Sequence, residues 1–450
     1  MKRSRLIYPI LALFLSVLAS RLQASSILMG GLVSVHSYGA PDVVRNPALL
    51  SLLDQNNAIG VLADYRTYAA ATINTRKSQL SLLKPDIERF DGGTARISYV
   101  KKINAISLGF DFFSTNESSK TKVRTLSNPG FITTGDGVSS ISIMINAFTA
   151  SLSVSINHRN SIGIQLNCRY IRSNNRETIN SIQASSPPVY IHDYNKAIIE
   201  DVSSSPGIGY IARIDNSEIG VMVTPGRLTW KMETQEGLNY DVSSITAQPL
   251  FKAKGKLPFT FAYNTGPSLI AGAYSKLAND IGAAIELELT FPITYRETFL
   301  LRGDKILPSI GRFFYIRNSA LGLDNKVSTR PFVSLRGGLE LNVSQSTVFN
   351  LGCGLNYTSL KAAIHSPVVD PLRTSYIHRV SFSFFGMTGI DFLLGKSNIL
   401  TIGTAVSYNT LSQEETFQEV IQTLGWELHN SNTKLKTVNI DIIAAASFGF

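Results

Sequence analysis

Two cysteines, two tryptophans and six histidines in 450 residues leave little room for several kinds of chemistry. Cys168 and Cys353 fall on the apolar faces of separate expected strands, and read as small hydrophobes more than as a disulfide. His36, His158, His192, His365, His378 and His429 include no pair at metal-ligand spacing. Neither a Gly-x-Ser-x-Gly elbow nor a phosphate-binding loop occurs. No catalytic residue, metal or cofactor is therefore expected, although a Ser–His pair assembled from different strands stays open on sequence alone.

Charge is also scarce. Only 16% of residues are charged, and four of the ten net positive charges (Lys2, Arg3, Arg5 and Arg21) lie in the first 24 residues. The rest of the excess is spread without basic runs or interleaved aromatics, so no nucleic-acid partner is expected. After residue 25 no apolar run is long enough for a membrane-spanning helix. Yet 44% of the chain is hydrophobic and mean hydropathy is +0.09. A β-barrel reconciles these facts, because half of each of its strands is polar.

The last sixteen residues carry that pattern openly. Val438, Ile440, Ile442, Ala444, Ala446, Phe448 and Phe450 share one face; Thr437, Asn439, Asp441, Ser447 and Gly449 share the other with Ile443 and Ala445. A period of two is the strand period, and a closing barrel strand of this kind ends on an interfacial aromatic. At the other end, a basic start, the apolar Leu6–Leu18 and Ala24 predict a cleaved signal peptide over 1–24, with the mature chain starting at Ser25 or Ser26.

Six turn signals recur at Lys101–Asn104, Asn157–Asn160, Ile214–Ser217, Ala278–Asp280, Asn342–Gln345 and Gly395–Asn398. Six hairpins with a first and a last strand give fourteen, an even number that puts both termini on the periplasmic side. Between the turns, connections at about 72–92, 115–137, 174–204, 233–266, 298–329, 359–375 and 410–434 are expected as long external loops. The fold class is thus all-β, a 14-stranded antiparallel transmembrane barrel over 58–450, preceded by an N-terminal segment over 25–57.

Two places resist the scheme. In the fourth strand Ile141, Ile143 and Ile145 are odd whereas Leu152, Val154 and Ile156 are even, so the strand either bulges near Asn146–Ala147 or begins only near Phe148. In the last external loop, Ser412-Gln-Glu-Glu415 reads as a capping box ahead of Phe417, Val420, Ile421 and Leu424 at helical spacing, and a helix is expected there.

Residues 39–48, Gly-Ala-Pro-Asp-Val-Val-Arg-Asn-Pro-Ala, resemble the early segment of the FadL/TodX family of outer-membrane transporters. The hairpins over 205–221 and 266–282, and the terminal Phe450, are similar to that family as well. The resemblance implies a hatch inside the lumen, built on Gly39, Asp42, Arg45, Asn46, Pro47 and Ala48, and passive uptake of hydrophobic molecules, notably long-chain fatty acids. A PorV-like branch implies secretion or surface attachment instead, and a general porin is a further alternative.

Candidate ligand residues follow from chemistry. Phe259, Phe261 and Tyr263, with Phe313 and Phe314, place apolar surface on expected external loops, where it packs or binds something. Inward-facing Arg66, Arg96, Arg169, Arg213 and Arg336 are candidate anchors for a fatty carboxylate; Asp64, Asp111, Glu286, Glu288, Glu340 and Asp441 point inward too and offer structural pairing as the alternative. Expected partners are outer-membrane lipids, a hydrophobic small molecule and the barrel-assembly machinery, which would meet the strand ending at Phe450. The protein is expected to be a monomer.

Overall fold

The computed structural model describes residues 29, 32, 34–35, 40, 45–53, 56–77, 83–125, 133–183, 189–244, 249–259, 266–309, 312–329, 331–365, 374–394, 398–421 and 425–449. The signal segment, Gly39 and Asp42 lie outside these residues, as do Phe261 and Tyr263.

Among the described residues, eighteen antiparallel strands follow one another: β1 (Asn57–Lys77), β2 (Leu83–Ile103), β3 (Ile106–Thr125), β4 (Thr133–Ser155), β5 (Asn160–Gln183), β6 (Val189–Ile214), β7 (Ser217–Thr224), β8 (Leu228–Ser244) and β9 (Pro249–Phe259), then β10 (Ser268–Ala278), β11 (Ile281–Thr290), β12 (Thr294–Ser309), β13 (Arg312–Thr329), β14 (Phe332–Ser344), β15 (Thr347–His365), β16 (Thr374–Leu394), β17 (Asn398–Ile421) and β18 (Gly425–Gly449). They make fourteen staves. β1 to β7, β10, β11 and β14 to β18 pair in ring order, and β1 closes on β18 from Ala58 opposite Gly449. Closure leaves no edge strand in this ring of fourteen, and the ring's ladders pair its backbone polar groups from strand to strand.

The remaining four strands continue four staves past a break, away from the end where the chain enters and leaves the wall. The breaks fall after β7, before β10, after β11 and before β14, and each holds a proline: Pro225, Pro267, Pro292 and Pro331. Proline has no N–H to give the ladder. Ser268 pairs with Thr224 and with Thr290, and Thr290 pairs with Phe332, so the four breaks form one row. Beyond it β8 pairs with β6 and β9, and β13 with β12 and β15.

The wall is inside-out relative to a soluble protein. Ile164, Phe112, Ile285, Ile402 and Ile442 are more than half exposed, whereas Arg96, Asp111, Glu286, Asn350 and Asp441 are buried. Only a lipid surround makes such an exterior stable. The two-residue alternation expected of barrel strands holds in β5, β11, β14, β15 and β18, with Ile162, Ile164 and Leu166 of β5 and Ile281, Ile285 and Leu287 of β11 on the outer face and Cys168 and Cys353 free and exposed there too. Two-residue turns at Asn104–Ala105 and Asp215–Asn216 join their hairpins, and Asn104 and Asp215 take φ of 54° and 53°. Asn and Asp tolerate that left-handed conformation best among residues with a Cβ.

Three expectations need correction. The long connections are mostly strand; β5 and β6, for example, run together to Gln183 and Val189. Beyond the bilayer neither strand face has to be apolar, so the two-residue period fades while the ladder continues. The fourth strand neither bulges nor starts late, because β4 keeps one register against β3 and β5 from end to end. From Ile143 to Ser153 its odd residues face inward; Ile143, Ile145 and Ala147 are apolar on the inner face, and Thr149, Ser151 and Ser153 continue that face in polar form. Residues 412–421 are not helical: they prolong β17 between β16 and β18, where ladder pairing on both sides outweighs local helical spacing.

Candidate functional site

The described residues between 29 and 53 lie against the inner faces of the wall. Asn46 organises them. It precedes a proline, which disfavours helix at its own position, and it caps a 3-10 helix over Pro47–Leu52 by accepting a hydrogen bond from the Ala48 N–H at 3.1 Å. Its Nδ2 donates to the carbonyls of Ser34 (3.0 Å), Tyr210 on β6 (3.1 Å) and Val221 on β7 (3.3 Å). So close an approach needs bare wall. A Cβ on Gly209 would stand 1.8 Å from Asn46 Oδ1, and one on Gly220 would stand 1.9 Å from the Ser34 carbonyl. Gly163, paired with Gly209 across the ladder, faces Pro47 and Ala48 in the same way.

Around this point the segment is tied by several kinds of contact. Arg45, 2% exposed, donates to the Val35 carbonyl at 2.7 Å. Ala48 and Leu49 pack on Ile211, and Leu50 and Leu53 pack with Ala40 on Ala58 and Val100. Ser51 Oγ donates to Ser161 Oγ at 2.6 Å. Lys102 Nζ donates to the carbonyls of Ser51 (3.1 Å) and Leu53 (3.0 Å), satisfying the helix end. Replacing Lys102 with methionine removes both charge-assisted bonds, worth about 1.5–3 kcal/mol apiece in other proteins. Amide exchange at Leu49, whose N–H donates to the Asn46 carbonyl, is expected to quicken at least about tenfold.

Ser34, whose carbonyl Asn46 holds, also meets a charged group. Its N–H and its hydroxyl both donate to Glu286 Oε2, at 2.5 and 2.6 Å. Arg336 holds the other oxygen of Glu286 at 2.8 Å and also bridges Glu288. Met29, Leu32 and Val35 pack beside this on Tyr274 and Ala284.

Four of the five candidate arginines bridge wall carboxylates. Arg66 bridges Asp441 at 2.7 Å and Glu117 at 3.5 Å; Arg96 bridges Asp111 at 3.5 Å and lies 5.2 Å over the Phe113 ring; Arg336 bridges Glu286 and Glu288. Arg213 sits beside the Asp215 turn and bridges Glu218 at 3.0 Å, with 39% of its side chain exposed. Arg169 is half-buried on the inner face. Arg379 on β16, fully buried, was not singled out by sequence, since an inward arginine beyond the bilayer shares its period with polar neighbours. Of the aromatic candidates, Phe259 ends β9 and Phe313 and Phe314 lie in β13, with side chains outside the described residues.

An apolar patch went unseen in the sequence. Phe113 on β3, Ile143, Ile145 and Ala147 on β4, and Ile171 on β5 cluster on the inner wall. A smaller cluster joins Leu62, Ala405 and Ile443, with Met387 and Ala445 beside it. Among the described residues, no group of His, Cys, Asp and Glu is placed to hold a metal ion.

No family model and no curated protein matches the chain by sequence. Solved structures do match in fold. The toluene transporter TodX of Pseudomonas putida superposes with a TM-score of 0.59 at 13% identity, over 94% of this chain and 96% of that one. The monoaromatic hydrocarbon channel CymD gives 0.57 at 12%, over 94% and 96%. The toluene transporter TbuX of Ralstonia pickettii gives 0.51 at 10%, over 94% and 97%. The closed antiparallel ring of fourteen staves, covered almost end to end by these neighbours, is a barrel of the FadL/TodX-like fold.

Proposed function

We propose that this barrel is an integral outer-membrane channel for passive uptake of hydrophobic small molecules, with both termini periplasmic and the segment before β1 as its hatch. The inner-wall patch of Phe113, Ile143, Ile145 and Ala147 carries the reading. A lumen that serves ions and sugars needs polar walls. Apolar side chains gathered on an inner wall suit a ligand whose affinity comes from leaving water. The inner segment supports the same reading, because a general porin has no use for residues seated across its wall. Similar solved barrels described as toluene and monoaromatic hydrocarbon channels add support at the level of fold.

Long-chain fatty acids or similar lipids are the finer ligand class we put forward. A fatty carboxylate would exchange with a wall carboxylate on Arg66, Arg96 or Arg336, whereas a neutral hydrocarbon would need the apolar patches alone. Neither route calls for ATP or a cofactor. The remaining proposals are a monomer in outer-membrane lipids and delivery by the barrel-assembly machinery through the strand ending at Phe450.

Vesicles carrying the purified protein, supplied with oleate in one arm and toluene in the other, test the proposal. Uptake well above that of empty vesicles is expected, and Ile143→Ser with Ile145→Ser is expected to slow it about tenfold, in keeping with the loss of two buried side chains from the path. Heat-modifiable migration checks that the variant barrel has folded. Uptake of both probes at the rate of empty vesicles would sink the reading.

A further inference from the structure

The inner wall of β14 to β18 carries a row of uncharged polar side chains. Ser334 on β14, Asn356 on β15, Ser383 on β16, Asn409 on β17 and Thr437 on β18 are register partners in turn, so one line of hydroxyls and amides crosses five neighbouring staves. Leu335, Tyr357, Phe382, Phe384 and Tyr408, next to them in sequence, are exposed on the outer face. The row therefore faces the lumen within the lipid-covered part of the wall.

Its members are only partly satisfied by one another. Ser383 Oγ donates to Asn409 Oδ1 at 2.5 Å, and Asn409 Nδ2 reaches Ser407 Oγ and Thr437 Oγ1 at 3.4 Å each. Four buried atoms have no hydrogen-bond partner: Ser334 Oγ and Asn356 Oδ1 in the row, Ser381 Oγ two residues along β16, and Asn439 Oδ1 two residues along β18. Ser334, Ser381 and Asn439 are 0%, 2% and 7% exposed. Buried polar atoms in folded proteins are nearly always paired. Four left open on one inner face mark a surface that something outside the wall completes.

The chemistry of that surface favours a neutral group. The cations at its edges are engaged: Arg336 with Glu286 and Glu288, Arg66 with Asp441 and Glu117, and Arg379 as well. A carboxylate arriving here gains a cation only by displacing a wall carboxylate, and without one its charge is costly to bury. A hydroxyl both donates and accepts, so it matches amide oxygens and serine hydroxyls alike. Apolar surface adjoins the row. Phe385, two residues from Ser383, fills the space a side chain on Gly354 would take. Farther in the same direction lies the cluster of Leu62, Ala405 and Ile443 with Met387 and Ala445. Asn409 and Ala405 are four residues apart, about 13 Å of strand, so one molecule reaches both.

We propose that the inner wall of β14 to β18 is a binding site for the uncharged, hydroxyl-bearing head of a monoacylglycerol-like amphiphile, with its tail directed past Phe385 to the Leu62–Ala405–Ile443 cluster. The inference rests on the transport reading above and narrows its ligand class, since an uncharged head enters this site without breaking a wall ion pair.

Equilibrium dialysis against the protein in nanodiscs, corrected for empty nanodiscs, tests the site. The probes are monooctanoylglycerol and octanoate, equal in tail length, at about pH 8, where octanoate is ionised. Monooctanoylglycerol is expected to bind at least about tenfold more tightly. Asn356→Leu with Asn439→Leu is expected to weaken its binding about tenfold and to change octanoate binding less than about twofold, with heat-modifiable migration as the check of folding. Should that pair fail to fold, Ser334→Ala with Ser381→Ala removes the other two open atoms with less change of volume, and is expected to weaken binding in the same sense. Octanoate bound as tightly as monooctanoylglycerol, or unchanged monooctanoylglycerol binding in a folded variant, would overturn the site. Maltose, which has hydroxyls but no tail, is expected to be retained no more than by empty nanodiscs. Retention equal to that of monooctanoylglycerol would make the row a saccharide path and overturn the amphiphile.

Failure of the transport reading shows itself elsewhere. Vesicles carrying the protein then take up neither oleate nor toluene, whereas dialysis requires no passage through the barrel. Head-selective binding without uptake supports the site and removes the channel; uptake without head selectivity keeps the channel and overturns the site.

Discussion

Replacing Gly209 with valine is expected to unseat the inner segment and raise ion conductance through the barrel at least about tenfold. The new Cβ would lie 1.8 Å from Asn46 Oδ1 and 2.9 Å from Pro47 Cδ, so side chain and segment cannot both keep their places. Asn46 then loses its bonds to the Ser34, Tyr210 and Val221 carbonyls. At about 1 kcal/mol net each, with about 1–3 kcal/mol more for overpacking, the loss approaches the whole stability margin of a small docked element. The wall itself should survive. Gly209 pairs with Gly163 and Met222 through backbone groups that valine keeps, so heat-modifiable migration is expected to match the parent. Gly386→Val serves as the control, because a Cβ there meets nothing within 4 Å. Unchanged conductance in the Gly209 variant would show that the glycine seat does not govern the lumen.

Removing the cation from the closing seam is expected to cost more stability than any other single change in the lumen. Arg66 on β1 and Asp441 on β18 are direct cross-strand partners where the barrel shuts, and Glu117 on β3 completes the group. Arg66→Met would strand two buried carboxylates, a situation that costs about 3–5 kcal/mol in other proteins. Denaturant unfolding in detergent should register that loss. Adding Glu117→Gln and Asp441→Asn should recover most of it, since the stranded charges are then gone. Failure to recover would mean that Arg66 acts through packing along its aliphatic stem rather than through charge. Arg66 was also singled out as a ligand anchor, and the two roles separate here. An anchor alone would change uptake and leave unfolding as it was.

The sequence made much of the wall legible and little of the lumen. Fourteen staves, the turns at Asn104 and Asp215 and the outward face of β5 or β11 could be read because lipid imposes a strict two-residue alternation. Where lipid ends, so does the signal. The outward extensions of the strands therefore passed for loops, and residues 412–421 passed for a helix. In β4, hydrophobicity moves from the inner to the outer face along one uninterrupted strand, which in sequence looks like a slip of register.

The inner contacts were hidden for a different reason. Ser34 and Glu286 are 252 positions apart, and no local rule links them. Gly209 and Gly220 read as gaps in an alternating strand, although their missing side chains make the seat for Asn46. Asn46 meets the carbonyls of Tyr210 and Val221, 164 and 175 positions away, and no local rule reaches that far.

The proline row has a consequence for how such a barrel can diverge. A β-strand carries its facing order along its whole length, so a single inserted residue ordinarily turns every later side chain to the wrong side. At Pro225, Pro267, Pro292 and Pro331 that order stops and starts afresh. The segments on the near side, β7, β10, β11 and β14, are 8, 11, 10 and 13 residues long. Those lengths are close to what one bilayer crossing takes. Insertions or deletions beyond the row thus leave the lipid-facing order untouched. Four neighbouring staves can lengthen, shorten or change composition at their outer ends in steps of any size, odd or even, while the part that lives in the membrane keeps its place.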